Sequence, residues 1–344
     1  MKLSVEKPAA MDMPETPRVR ASKVGRLAAS GVDLLMCASI NFLQSRHRLH
    51  ARSRGEMEHY VAECEKLTAE NFYAVPNGAE IAAAIGDRAG SSITWCSPME
   101  TKFPANNVAR ADFFPCPRGW SAPTVLMLHA LMSASHIGYR RCAARLNQLG
   151  WNACFVHLPY HYSRVSRGYW NGELAITADL IRNAEGLRQG VIEVRQLMAA
   201  LHERGCQEFG VLGTSYGGWI GALLAMVERD FRFVALMAPI VNVEHAIWES
   251  PAARFMRREL RRAGIDSSLV ARHYHLSSPM HNQPLCDAGR VLFVAGEFDL
   301  ISRPTDVERI HQKWHGSKLL RVPQGHFGYR MLRETIAWLK THAL

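Results

Sequence analysis

The most constraining feature of the chain is a nine-residue run, Gly210-Val211-Leu212-Gly213-Thr214-Ser215-Tyr216-Gly217-Gly218, which carries an apolar strand through Gly-x-Ser-x-Gly into a helical pattern from Trp219 to Val227. A backbone that turns this sharply from strand to helix leaves no space for bulk beside the serine, hence Gly213 and Gly217. The serine is expected in a strained conformation with its hydroxyl presented at the turn. It also opens a helix, where N–H groups and the helix dipole favour a developing oxyanion.

Around this elbow the chain alternates short β-rich runs with longer helical patterns, which argues for a mainly parallel sheet covered by helices on both faces. The expected strands are Ser92–Cys96, Val108–Phe114, Thr124–His129, Ala153–Leu158, Gly210–Thr214, Phe233–Met237, Val291–Ala295 and Lys318–Val322. Several are continuously apolar, as strands buried on both faces should be. Leu187, Val191, Val194, Met198 and Leu201 recur at helical spacing and predict an amphipathic helix ending near Gly205; another helical stretch is expected around residues 56–72. The Arg-rich segment from about residue 242 to 287 breaks the rhythm and reads as an insertion over one end of the sheet.

A serine hydroxyl is a weak nucleophile until a base takes its proton, so a histidine and an orienting carboxylate are sought downstream. The run Val291–Ala295 ends in Gly296-Glu297-Phe298-Asp299, and Leu319–Val322 ends in Pro323-Gln324-Gly325-His326. Both side chains then lie just past the carboxyl ends of strands, where sites form in α/β sheets. Asp299 is the expected acid, with Glu297 as its rival, and His326 the expected base. An oxyanion needs two backbone donors: Tyr216 N–H from the elbow, and Leu131 N–H from the loop after the third strand.

Taken together, His129-Ala130, Gly213-Thr214-Ser215-Tyr216-Gly217, Gly296-x-x-Asp299 and Gly325-His326 resemble the α/β-hydrolase superfamily over roughly residues 90–344. The resemblance implies an eight-stranded sheet, an acyl-enzyme, no cofactor, and a cap after the sixth strand; no metal is expected, because metal-ligand spacing is absent. One departure is Ala130, where members usually carry glycine after the histidine. Leu158-Pro159-Tyr160-His161-Tyr162-Ser163-Arg164, with Gln189 on the helix that follows, is further similar to the abhydrolase domain-containing branch, some of whose members act on lipid esters. Arg164, like Arg167, is placed to reach an anionic substrate head group over the site, and His129 and His161 are further candidate substrate contacts. The expected function is hydrolysis of a carboxylic ester, lipid-like in character. Acyl transfer, peptide cleavage by the same triad, and an inactive binding module are the alternatives.

Size and composition fit this reading: 344 residues with 48% hydrophobic and 21% charged suit one sizeable α/β domain plus additions. Ten of the 41 Lys and Arg residues fall within 1–56, and the formal net charge is +10. That leader is expected to be solvated, or to meet an anionic membrane peripherally; no nucleic-acid motif accompanies the charge. The eight cysteines show neither a CxxC pair nor a dense framework, and the first twenty residues lack a secretory apolar run, so a reduced, cytoplasmic protein is expected. Residues 24–45 are apolar, but Asp33 and Asn41 interrupt them, which makes a spanning helix a poor fit. Instead Ser30, Asp33, Cys37, Asn41 and Gln44 fall on one helical stripe and Leu27, Leu34, Leu35, Ala38 and Phe42 on the other. The helix is expected to pack against the protein's own body, ahead of lying on a membrane.

Overall fold

Continuously apolar strands require cover on both faces. The computed structural model, which describes residues 23–47, 49–76, 92–133 and 135–343, supplies it. Residues 1–22 of the basic leader lie outside the described residues. Eight strands form one sheet: β1 (Ser92–Cys96), β2 (Val108–Phe114), β3 (Thr124–Leu128), β4 (Asn152–His157), β5 (Phe209–Thr214), β6 (Phe231–Met237), β7 (Val291–Gly296) and β8 (Lys318–Val322). Their spatial order is β1-β2-β4-β3-β5-β6-β7-β8. β2 runs antiparallel to β1 and β4, and the other neighbouring pairs are parallel. All eight expected strands are present, with several ends displaced by one or two residues. β3 stops at Leu128, so His129 already belongs to the loop.

Among the described residues twelve α-helices accompany the sheet: α1 (Lys23–Arg46), α2 (Arg54–Cys64), α3 (Ala69–Phe72), α4 (Ile137–Gln148), α5 (Leu180–Glu203), α6 (Tyr216–Ala225), α7 (Val243–Trp248), α8 (Arg254–Arg262), α9 (Ser267–Ala271), α10 (Tyr274–Ser277), α11 (Pro304–Lys313) and α12 (Arg330–His342). Alternation along the strands divides the core. Val125 and Met127 of β3 pack with Cys142 and Leu146 of α4 and Ile336 and Leu339 of α12. Leu126 and Leu128 face the other way, into a cluster with α5, α6 and the segment after β6. Local signals set the helix ends: Ser53 and Glu56 make a reciprocal capping box on α2, and the Asp179 carboxylate accepts from Arg182 N–H to start α5. The segment between β6 and β7 holds α7 to α10.

α1 meets the body with its polar side, the reverse of the usual amphipathic arrangement. Asp33, Cys37 and Gln44 are buried, whereas Leu27, Leu35 and Phe42 are 74%, 67% and 66% exposed. Asn41 donates to Pro251 O and accepts from Phe255 N–H, and Gln44 donates to Ile176 O. By length and composition, residues Gly25–Arg46 would reach across a membrane. Here those polar side chains instead satisfy backbone groups of the segment after β6 and of the loop before α5, which would otherwise lose their hydrogen bonds on burial.

Candidate active site

The parallel order brings the carboxyl ends of β3, β5, β7 and β8 to one edge, and the elbow stands at its centre. Ser215 has φ +51° and ψ −110°, a conformation a side-chain-bearing residue adopts only when its surroundings enforce it. The enforcing contacts are specific. Ser215 N–H donates to Met237 O at 2.8 Å, and Gly217 N–H donates to His129 O at 3.0 Å. A Cβ on Gly217 would stand 2.2 Å from Leu128 O, and one on Gly213 would stand 2.6 Å from Gly217 O. Both glycines are therefore required by close approach of backbone to backbone.

Ser215 Oγ lies 2.8 Å from His326 Nε2, and His326 Nδ1 lies 2.8 Å from Asp299 Oδ2. The remaining Asp299 oxygen accepts from Ile301 N–H and Ser302 N–H, both at 2.8 Å. Asp299, and not its rival Glu297, thus reaches the histidine. The Asp299 contact fixes Nδ1 as the protonated nitrogen and leaves Nε2 free to accept from Ser215 Oγ. Burial works to lower the pKa of His326. The charge and hydrogen bond of Asp299, with a further contribution from Asp33, outweigh burial and hold the imidazole above its usual value.

No protein-family model matches the chain. An uncharacterized Mycobacterium tuberculosis protein, in strains CDC 1551 and H37Rv, is 24% identical over 185 residues, 53% of this chain and 44% of the relative. The match thus spans less than half the length of those relatives. Among solved structures, acetyl xylan esterase from Paenibacillus sp. R4 superposes with a TM-score of 0.54 at 12% identity, covering 89% of this chain and 99% of that one. Pyrococcus horikoshii acylaminoacyl peptidase gives 0.51 at 13% identity, over 75% of this chain and 42% of that one. The chain has the α/β-hydrolase fold.

Within this α/β-hydrolase fold, the three expected substrate contacts take other parts. Arg164 is fully buried: its guanidinium is paired with Glu193 of α5 and donates to His157 O and Asn106 O. No part of it reaches an open face, so its expected contact with an anionic head group is corrected to a structural pair. The exposed neighbour, Arg167, is the one in solvent. His129 and His161 are also fully buried, and neither is placed as a substrate contact. His129 Nδ1 donates to Ala130 O and its Nε2 accepts from Leu158 N–H. His161 Nδ1 donates to Pro159 O and its Nε2 accepts from Met132 N–H at 3.3 Å. Burial holds both rings neutral, pushing His161 down to about 4 and His129 well below its usual value. A neutral ring with one donor and one acceptor is what these contacts need. The two histidines therefore brace the loop that carries Leu131, the expected second oxyanion donor.

Tyr216 is the first residue of α6, so its N–H has no partner within the helix. Among the described residues, no group of three or more His, Cys, Asp or Glu side chains is gathered as a metal site requires. One residue at the site escaped the sequence reading of function. Asp33 of α1, fully buried, accepts from the amides of His326 (3.0 and 2.9 Å), Leu300 (3.2 Å) and Phe327 (3.4 Å). Its signal in the sequence was an acid interrupting an otherwise apolar helix.

Proposed function

We propose that this protein is a serine hydrolase that cleaves a carboxylic ester through an acyl-enzyme on Ser215. The observation that carries the reading is the unbroken line Ser215 Oγ, His326, Asp299, with both hydrogen bonds at 2.8 Å. Ser215 Oγ attacks the ester carbonyl carbon while His326 Nε2 accepts its proton, and the N–H groups of Tyr216 and Leu131 receive the oxyanion. Collapse expels the alcohol, which leaves with the proton from His326. Water then gives a proton to His326 and attacks the acyl carbon, and the acid departs as Ser215 recovers its proton.

Substrate character is supported by two features. An apolar cavity of about 80 Å³ lies past Trp219, one turn along α6 from Ser215, lined also by Met57, Leu187, Ile247 and Val270. Ligand pockets commonly measure roughly 300–1,000 Å³, so an acyl group entering this smaller cavity from Ser215 would have to be short. The outward apolar face of α1, with Arg26 exposed beside it and the exposed Arg254, Arg258, Arg261 and Arg262 on the adjoining α8, supports contact with an anionic lipid surface, where an ester of lipid character would be met. A second copy docking through the same face would bring basic groups against basic groups.

The reading is tested by fluorophosphonate labelling of the purified protein and of Ser215→Ala, with p-nitrophenyl acetate, butanoate and octanoate alongside. Labelling that disappears in the variant, and turnover that falls with chain length, are expected. A folded wild type that takes no label would overturn it.

A further inference from the structure

Helix α1 reaches the site through Asp33. Asp33 sends its carboxylate from α1 between the acid loop after β7 and the base loop after β8, accepting from Leu300 N–H on one side and from His326 and Phe327 N–H on the other. Leu300 directly follows Asp299. One carboxylate therefore ties together the backbones that carry both partners of Ser215. Gly325 fits the same contact: a Cβ there would stand 2.8 Å from Asp33 Oδ1. α1 is in turn fixed by Asn41 and Gln44 to the segment after β6 and the loop before α5, so the carboxylate is held by a rigid element and not by a free end.

We propose that Asp33 is a positioning residue of the triad, setting the separation of Asp299 and His326 and adding negative charge behind the imidazole. This rests on the serine-hydrolase reading of Ser215. A fully buried carboxylate loses hydration, and the three amides replace it as donors to the ionised form. Those two effects oppose each other, and burial is the stronger: the carboxyl is held above its usual range. Among the described residues, Asp299 from the β7 loop acts on both Asp33 and His326, Cys37 lies one turn along α1, and Arg254 at the start of α8 acts on Cys37. The Cys37 thiol is pushed up to about 11 by burial, so it stays neutral through the working range. Asp299 and Asp33 are the acids acting on His326.

Asp33→Asn keeps the shape, removes the charge and replaces one acceptor oxygen by a donor. The test is the second-order rate constant for fluorophosphonate labelling of Ser215, measured across pH. Its time course reads only folded molecules, while its amplitude reads their share, so a folding defect does not imitate a positioning defect. Displacements of about 1 Å at an active site cost on the order of 10²-fold. Labelling slower by tenfold or more is expected, with the acid limb moved to lower pH because the histidine loses a stabilising charge. A rate within twofold of wild type and an unmoved limb would overturn the inference. Gly325→Ala, which presses on the carboxylate from the far side, is expected to slow labelling in the same assay, and an unchanged rate there counts against the inference.

Hydrogen exchange in the unmutated protein supplies a readout independent of activity and of any variant's folding. The amides of Leu300 and His326 are expected to exchange slowly, and fast exchange would sink the inference. Wild type that is protected at these amides but takes no label would instead refute the serine-hydrolase reading and leave the Asp33 contact standing.

Discussion

Asp299 is committed on both oxygens, one to His326 Nδ1–H and the other to the amides of Ile301 and Ser302, so it cannot turn without abandoning three donors. In the proposed reaction its charge would also stabilise the imidazolium formed as Ser215 attacks. Asp299→Asn keeps the volume but loses that charge and can present an amide N–H donor where an acceptor is needed. A fall in kcat on the order of 10⁴-fold is expected, read from ester turnover with the labelling amplitude as the measure of folded protein. The wild-type pH profile follows from the raised pKa of His326. The base works only when neutral, so raising its pKa extends the inactive, protonated range upward. Activity is therefore expected to fall with decreasing pH through a midpoint above about 6.5, the ordinary histidine value. A midpoint clearly below that would contradict the charge balance assigned to this histidine.

At the level of elements, two cases show polar groups deciding how apolar segments pack. Arg164, on the turn after β4, and Glu193, inside α5, form a fully buried pair that also satisfies His157 O and Asn106 O. Removing one partner strands the other charge, so Arg164→Ala is expected to destabilise the protein by about 3–5 kcal/mol in denaturant unfolding. Replacing both by Met should recover part of the loss; equal destabilisation in the single and double variants would argue against this account. α1 is the second case. Its inward stripe of Asp33, Asn41 and Gln44 finds backbone partners, and that leaves Leu27, Leu35 and Phe42 outside. Binding to vesicles containing phosphatidylserine is expected in flotation, and Leu35→Glu with Phe42→Glu should abolish it. Wild type that stays with neutral and anionic vesicles alike at the bottom of the gradient, while dimerising in sedimentation, would make a second copy the occupant of this face.

For the molecule as a whole, the fold follows from short-range patterning repeated along the chain. Apolar runs of five to seven residues, separated by helical periods, admit few arrangements other than a covered parallel sheet, and the Gly-x-Ser-x-Gly turn fixes which strand end carries the nucleophile. Ser215, Asp299 and His326 were legible because each sits at a strand end, where local sequence marks the turn. The strand ends themselves were less so, since pairing with a neighbour decides where a ladder stops. Local marks along the chain were therefore enough for the sheet, the elbow and the three side chains that meet there, Ser215, His326 and Asp299. Only the tertiary structure decided what the isolated polar residues do. Arg164 looks like a free surface cation until Glu193, twenty-nine positions on, is folded against it. His129 and His161 look like substrate contacts until their ring nitrogens are seen to be taken by backbone groups. Asp33 lies 293 residues before the amide of the histidine it holds. Such contacts join groups far apart in the chain, and hydropathy and period carry no record of which distant donor a buried acceptor meets.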